Sequence, residues 1–269
     1  MRSKVELEKR IALITGGSNG IGKAIAVALA REGADIILCA LDSKSLREAQ
    51  VEIEKLGVKV WSMAFDATDP TQVKKFFSDI IAKIGQLDIL VNNVGGVRDH
   101  ATFKELDDKQ WIDSWKLNFM TMVYFTREAL PLLEKSEHAR IINISSSAGK
   151  QPGGFNPHYG AAKTAVNSLS KYLANQLAPQ KILVNTITPS TVNGGLWHPH
   201  IEDKARRSGV SIAEATRLME EEVIKKTPLG QVGTPEDVAE LVAFLASDRA
   251  KFITGTCIAV DGGLIKSIF

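Results

Sequence analysis

The sequence predicts an α/β fold built on a doubly wound, seven-stranded parallel sheet with helices on both faces. Three observations carry that expectation. Short β-branched runs alternate with longer segments of helical period, the order of parallel strands joined through covering helices. The short runs are hydrophobic almost throughout, as strands buried on both faces are. The connections are short, which suits right-handed crossovers into one sheet.

In chain order, the apolar run Ile11–Thr15 reads as a strand, and the helical period of Ile21–Arg31 follows it. Asp35–Ala40 and Lys59–Phe65 are the next strands, separated by a helix over Ser43–Leu56 with Ser43 expected as its cap. Pro70–Ile84 is read as a helix leading to strand Ile89–Asn92, and Lys109–Leu133 as a long helix leading to strand Arg140–Ser145. A second long helix, Tyr159–Leu177, precedes strand Ile182–Thr188. Pro235–Ser247 and Cys257–Val260 close the alternation as helix and strand. No repeat, low-complexity tract or Pro/Gly linker interrupts this order, so residues 1–269 are expected to form one domain.

The 269 residues carry 33 basic and 31 acidic side chains, a formal charge of +2. That balance argues against a nucleic-acid binder, which would concentrate basic charge on one face. Cys39 and Cys257 cannot make a disulfide framework, and reduced thiols are the simpler reading. The first ten residues are charged and carry no apolar signal core, and no run of 18 apolar residues offers a membrane span. A soluble, cytoplasmic protein is expected.

Residues 190–228 break the rhythm, and an excursion beyond a strand's C-terminal end is where a lid over a ligand would sit. Inside it Ser211–Lys226 reads as an amphipathic helix, with Ile212, Ala215, Leu218 and Met219 at helical spacing. Leu196, Trp197, Ile201, Leu218 and Met219 offer either an apolar pocket wall or a core for the lid itself. His198 and His200 lack a third ligand at a recognisable spacing, so exposed lid histidines are expected and no metal site. Lys204, Arg206 and Arg207 form a basic cluster that reads as a solvated face or as a contact for an anionic substrate group.

Thr15-Gly16-Gly17-Ser18-Asn19-Gly20-Ile21-Gly22 joins the first strand to the first helix. Glycines at 16, 20 and 22 let the backbone turn tightly and bring a pyrophosphate to the helix N-terminus, where free N–H groups and the helix dipole favour negative charge. The arrangement points to a Rossmann-like dinucleotide site. Further along, Tyr159 and Lys163 stand at i and i+4, on one helix face. An ammonium there favours the phenolate and would lower the tyrosine pKa toward the range of a general acid or base. Ser146 follows the strand Arg140–Ser145, at the edge where open α/β sheets place ligands.

With glycines spaced G-x-x-x-G-x-G and the Tyr159…Lys163 pair, the chain resembles the short-chain dehydrogenase/reductase family over about residues 8–263, in particular members similar to 3-oxoacyl-acyl-carrier-protein reductase. The resemblance implies hydride transfer between NAD(P) and a carbonyl or secondary alcohol, with a 3-oxoacyl thioester among the candidate substrates. It implies a catalytic set of Asn118, Ser146, Tyr159 and Lys163. Ser146 would bond the carbonyl oxygen and Tyr159 transfer the proton. Lys163 would lower the Tyr159 pKa and hold the nicotinamide ribose, and Asn118 would hold a relay water. Cofactor contacts are implied for Gly16, Ser18, Asn19, Gly20, Ile21 and Gly22 in the turn, and for Leu41 after the second strand. They are implied also for Asp66 and Ala67 after the third, Asn93 and Gly95 after the fourth, and Pro189 and Thr191 after the sixth. The alternative is a catalytically silent nicotinamide-binding scaffold, which would not need the whole catalytic set.

Two departures from the family stand out. Gly194 occupies the position of a threonine that touches the nicotinamide carboxamide, leaving Thr191 and Asn193 as the candidate replacements. At the second strand, Ala40 stands where NAD-users carry an acid, and neither Leu41 nor Asn19 supplies the basic residue of NADP-users. NADP or NAD thus both remain, with NADP favoured because no carboxylate would repel a 2′-phosphate and Ser43 or Lys44 could contact it. Family members commonly assemble through the two long helices, here Lys109–Leu133 and Tyr159–Leu177, so a homotetramer is expected.

Overall fold

The computed structural model describes residues 7–195 and 197–267. Seven parallel strands lie in the order β3-β2-β1-β4-β5-β6-β7. They are β1 (Ile11–Thr15), β2 (Asp35–Ala40), β3 (Val60–Ala64), β4 (Ile89–Asn92), β5 (Arg140–Ile144), β6 (Leu183–Pro189) and β7 (Cys257–Val260). The order reverses between β1 and β4, and the crevice at that switch opens beyond the C-terminal ends of the strands. All residues of β1, β4 and β5 are buried, as their continuous hydrophobicity requires.

Ten α-helical segments among the described residues cover the sheet and extend beyond it. Helix α1 (Gly20–Arg31), α2 (Ser43–Glu54) and α10 (Pro235–Ala246) cover one face, where Ile14, Leu29, Leu38 and Val242 share one apolar core. Helix α3 (Pro70–Phe76), α6 (Thr121–Leu133) and α7 (Pro157–Leu177) cover the other. There Phe65 and Phe76 meet with ring centroids 5.1 Å apart, and Phe77 lies 6.0 Å from Phe125. These rings tie the β3 exit to the α3–α6 layer.

The expected helix Pro70–Ile84 is interrupted by a π-helical turn, Phe77–Ile81, before the short α4 (Ala82–Ile84). Likewise α5 (Asp108–Trp115) and α6 are joined through a second π turn, Lys116–Met120, within the span expected as one helix. Asp42, not Ser43, caps α2: its carboxylate accepts the Ser45 N–H at 2.6 Å. Past β6 the chain forms two helices where one was expected. Besides α9 (Ile212–Lys226), capped by Ser211, there is α8 (Trp197–Ser208). Its apolar stripe of Trp197, Ile201 and Ala205 is thin, and Pro199 lies in its first turn, where proline is tolerated. Trp197 and Ile201 are buried against Ala215 and Met219, so these residues form a small core between α8 and α9. Leu218 is not in that core, and Leu196 lies outside the described residues. No helix among the described residues is long and apolar enough to cross a membrane.

At the N-terminal edge of the sheet two buried guanidiniums face one carboxylate. Arg10 donates to Asp248 at 2.6 Å and to the Ala246 carbonyl at 3.0 Å, and Arg140 donates to Asp248 at 3.2 Å. Burial acts to raise the Asp248 pKa, but the Arg10 and His138 charges and their hydrogen bonds outweigh it and hold the carboxyl below its usual range. A depressed carboxyl stabilises the fold above its unfolded value of about 4 and loses that contribution as pH falls through its folded value. Asp248→Asn should therefore lower the unfolding free energy by about 1 kcal/mol at neutral pH, because two buried cations lose a counter-charge that is itself half-exposed and screened by solvent. In urea unfolding, the gap between variant and wild type should close as pH falls below about 4.

Candidate active site

The site grows from the end of β5. Ser145 closes the strand and donates its hydroxyl to the Lys163 carbonyl at 3.0 Å, a structural role. Ser146 then takes an extended conformation and caps a 3-10 turn over Ser147–Gly149, accepting the Ala148 N–H at 3.2 Å. That turn lies directly on α7. A Cβ on Gly149 would sit 2.8 Å from the Lys163 carbonyl carbon, so only glycine permits the approach. Helix α7 begins after Asn156, which adopts a left-handed φ of 60°, a conformation asparagine tolerates. Tyr159 consequently falls in the first turn of α7 and Lys163 one turn further.

The structure brings Ser146, Tyr159 and Lys163 together. The Ser146 hydroxyl lies close enough to the Tyr159 phenol to act against the rise of its pKa. Lys163 Nζ lies 5.8 Å from the centre of the Tyr159 ring and donates to the Ile144 carbonyl at 2.9 Å. The expected lowering of the Tyr159 pKa is not what the site produces. Burial raises the phenol above its ordinary value, and the Ser146 hydroxyl only partly opposes that. Lys163, whose side chain is buried as well, is brought down to about 8. The phenol is held as a proton donor at neutral pH, and the ammonium interacts with the strand carbonyl.

Asn118 occupies the π turn between α5 and α6, and both ends of its amide are engaged. Oδ1 accepts the Gly96 N–H at 2.7 Å, while Nδ2 donates to the carbonyls of Gly96 and Ser114 at 3.1 Å each. It thereby clamps the segment leaving β4 against the helix layer. Gly95 lies in the angle between the two side chains: a Cβ there would come within 2.7 Å of Asn118 Oδ1 and 2.9 Å of Lys163 Nζ. Ser114, Gly149 and Asn156 serve this geometry and carried no motif to mark them. The spacing of Gly149 and Asn156 from Tyr159 was the one usable signal.

Across the crevice lies the glycine turn. A Cβ on Gly22 would fall 2.1 Å from the Gly16 carbonyl oxygen, so α1 packs on its own entry turn. Asn19 caps α1 without a side-chain hydrogen bond, leaving the N-terminal N–H groups uncapped by it. Asn93 Nδ2 donates to the carbonyls of Thr15 and Gly16 at 3.0 and 3.1 Å, and Thr15 Oγ1 accepts the Asn93 N–H at 2.9 Å. Ser18 and Ile21 are half-buried along the turn, and Leu41 is exposed after β2. Asp66 stands two residues past the end of β3, with Oδ1 accepting from the Thr68 N–H and hydroxyl at 2.9 and 2.7 Å. Ala67 packs on the adjoining core. Pro189 ends β6 opposite Val260, and Thr191 leads into a loop that lies over the cradle. There a Cβ on Gly20 would reach within 3.0 Å of Gly195 Cα. A Cβ on Gly194 would meet the Pro235 ring at 2.7 Å, so the threonine of the family pattern has no room at this position. A helix N-terminus with no side-chain cap behind a glycine-rich turn fits a pyrophosphate, and the residues present fit a bound dinucleotide.

Among the described residues no three His, Cys, Asp or Glu side chains cluster to hold a metal ion. His198 is exposed, and His200 instead meets His100, with ring centroids 4.9 Å apart.

The sequence model of the enoyl-(acyl carrier protein) reductase family matches residues 16–265. The 3-oxoacyl-[acyl-carrier-protein] reductase FabG of Thermotoga maritima is 32% identical over 97% of this chain and its own full length. A cyclohexanol dehydrogenase of a Rhodococcus species is 30% identical over 99% of this chain and 100% of its own. Among solved structures, the L-sorbose reductase of Gluconobacter frateurii, complexed with NADPH and L-sorbose, superposes with a TM-score of 0.92 at 31% identity. That superposition covers 99% of this chain and 100% of the reductase. A near-complete match to these oxidoreductases in sequence and backbone, around a turn built for a dinucleotide, makes this chain a member of the NAD(P)-dependent short-chain dehydrogenase/reductase family.

Proposed function

We propose that the protein is an NADP-preferring carbonyl reductase, working in reverse on secondary alcohols, with Tyr159 as its proton donor. The observation that carries this reading is the placement of a half-buried Tyr159, with Lys163 Nζ 5.8 Å from its ring, beside the Ser146 turn at the sheet edge facing the glycine turn. A nicotinamide bound in the crevice supplies or takes the hydride. Ser146 orients the carbonyl oxygen toward the phenol, and Tyr159 gives its proton to that oxygen as negative charge develops. Lys163 stabilises the resulting phenolate and holds the ribose hydroxyls. Asn118 keeps the β4 exit, and with it one wall of the site, in place. A scaffold without turnover would have no use for this protonated pair.

The preference for NADP rests on the end of β2. Ala40 offers no carboxylate, and Asp42 is occupied as the α2 cap, so neither accepts from a ribose 2′-hydroxyl. The first turn of α2, with Lys44, faces the same region and favours a phosphate. The lid over the site is residues 190–228, and residues 1–269 act as one domain. We read the assembly as a cytoplasmic homotetramer. Ile112 and Trp115 on α5 and Tyr172 on α7 are exposed apolar side chains on the two helical layers that would meet. A 3-oxoacyl thioester is one substrate of the right reactivity.

Tyr159→Phe should lower turnover about 10²-fold or more while NADPH still binds, measured by NADPH consumption with a ketone panel and by nucleotide fluorescence. Turnover within a fewfold of wild type would remove Tyr159 from its role. Because the Lys163 ammonium is lost as pH rises through about 8, carbonyl reduction should hold below that value and decline above it. Lys163→Arg, which stays charged, should move the decline to higher pH. In kcat/KM, NADPH should exceed NADH by less than about 2 kcal/mol, since no bidentate arginine faces the 2′ position. A tenfold preference for NADH would show that Asp42 leaves its cap to reach the ribose.

A further inference from the structure

Between the segment leaving β4 and helix α8 lies a cavity of about 570 Å³ that the catalytic reading does not use. Strands β4 and β6 flank β5, so the segments that leave them rise on either side of Ser146. The cavity is bounded by both: residues 97–101 on the β4 side and α8 on the β6 side. Its β4 wall is fastened to the turn that opens α7. Asn156 N–H donates to the Ala101 carbonyl at 2.8 Å, Asn156 Oδ1 accepts the Ala101 N–H at 3.1 Å, and its Nδ2 lies 3.3 Å from His100 Nδ1. Tyr159 stands three residues past Asn156. The β4 wall of the cavity is thus tied to the turn that opens the helix carrying Tyr159.

The lining is rich in donors and short of acceptors. Arg206 and Arg207 share one carboxylate, Asp203, at 2.5 and 2.8 Å. Arg98 has no ion-pair partner among the described residues, and Asp99 is the second carboxylate of the wall. Three guanidiniums thus stand against two carboxylates. His100 and His200 face each other edge-on, and Gln110 spends its carbonyl oxygen on the Asp107 N–H, leaving its amide N–H groups free to donate. Lys204 takes no part, because it turns toward Glu222 on α9 at 3.4 Å. The complement of such a wall is an oxyanion, which accepts from guanidinium, imidazole and amide N–H alike. Each Asp203 oxygen is already paired with an arginine.

We propose that this cavity binds a carboxylate or phosphate at the end of the substrate remote from its carbonyl, so that the enzyme acts on oxo-acids or ketone phosphates, and on the matching hydroxy compounds, ahead of neutral ketones. The proposal rests on the reductase reading and narrows its substrate class. Arg98, Arg206, Arg207 and the facing imidazoles hold the anion, and its distance from the carbonyl selects among substrates.

Two measurements on the full-length protein test it. The first compares kcat/KM with NADPH for methyl ketones ending in a carboxylate at increasing chain length against their methyl esters, and for hydroxyketone phosphates against the unphosphorylated ketones. The charged member should be favoured at least about tenfold, mainly through KM. Whether the carboxylates or the phosphates show the larger ratio identifies the anion. Arg98→Ala and the double variant Arg206→Ala/Arg207→Ala should each bring the ratio toward one. Equal use of acid and ester by the wild type, or a ratio that survives both variants, overturns the proposal. The second titrates inorganic phosphate and follows the ring signals of His100 and His200 by NMR, assigned with His100→Gln and His200→Gln. Saturable shifts that disappear in Arg98→Ala support the site, and their absence in the wild type overturns it. Saturable phosphate binding without turnover of any carbonyl would strike the reductase reading and leave the anion site standing.

Discussion

Helix α7 lies along the end of β5 on a line of four hydrogen bonds. Ser145 and Lys163 exchange contacts across the interface, Oγ to the Lys163 carbonyl and Nζ to the Ile144 carbonyl, while Thr164 and Asn167 both donate to the Gly149 carbonyl. The absent side chain of Gly149 lets the turn touch the helix backbone. The candidate chemistry hangs from this seam, which lays the helix carrying Tyr159 and Lys163 on the turn that carries Ser146. Desolvation at this seam moves the pKa values of Tyr159 and Lys163 in opposite directions. The phenol rises and the ammonium falls, because burial disfavours whichever form is charged.

Around that seam the crevice is assembled by backbone-directed side chains. Asn93 ties the β1 turn to the β4 exit, and Asn118 ties the β4 exit to the π turn between α5 and α6. An amide that satisfies both a carbonyl and an N–H of the same residue, as Asn118 does with Gly96, holds position and orientation together. The buried polar groups of the site thus double as its scaffold. The pair of helices past β6 obeys a different rule. Helices α8 and α9 have a small core of their own, and their approach to the cradle depends on Gly194 and Gly195 lying against Pro235 and Gly20. A helix pair with its own core can vary its outer face, where Arg206 and Arg207 stand, without disturbing the sheet.

Much of this was legible beforehand. Seven apolar runs and their intervening helical periods correspond to the strands and most of the helices within a few residues, because two-sided burial leaves an uninterrupted hydrophobic signature. Helix α8 escaped notice since three apolar residues, Trp197, Ile201 and Ala205, sit among charges beside a proline. Ser43 looked like a cap, yet Asp42, one residue earlier, reaches the Ser45 N–H. Both belong to the residue types that cap helices, and local pattern does not choose between neighbours.

By itself, then, the sequence determined the doubly wound sheet, the glycine turn at the first helix and the i, i+4 pair of Tyr159 and Lys163, each written in spacing along one short segment, while Asn118 and Ser146 were marked by the family resemblance. The tertiary structure decided what spacing cannot carry. The protonation of Tyr159 depends on burial contributed by several elements. The clamp of Asn118 on Gly96 spans 22 residues, the contact of His100 with His200 joins the exits of two strands, and the fit of Gly194 depends on Pro235. Each joins segments that meet only once the sheet has formed, so no period or motif within either segment records it.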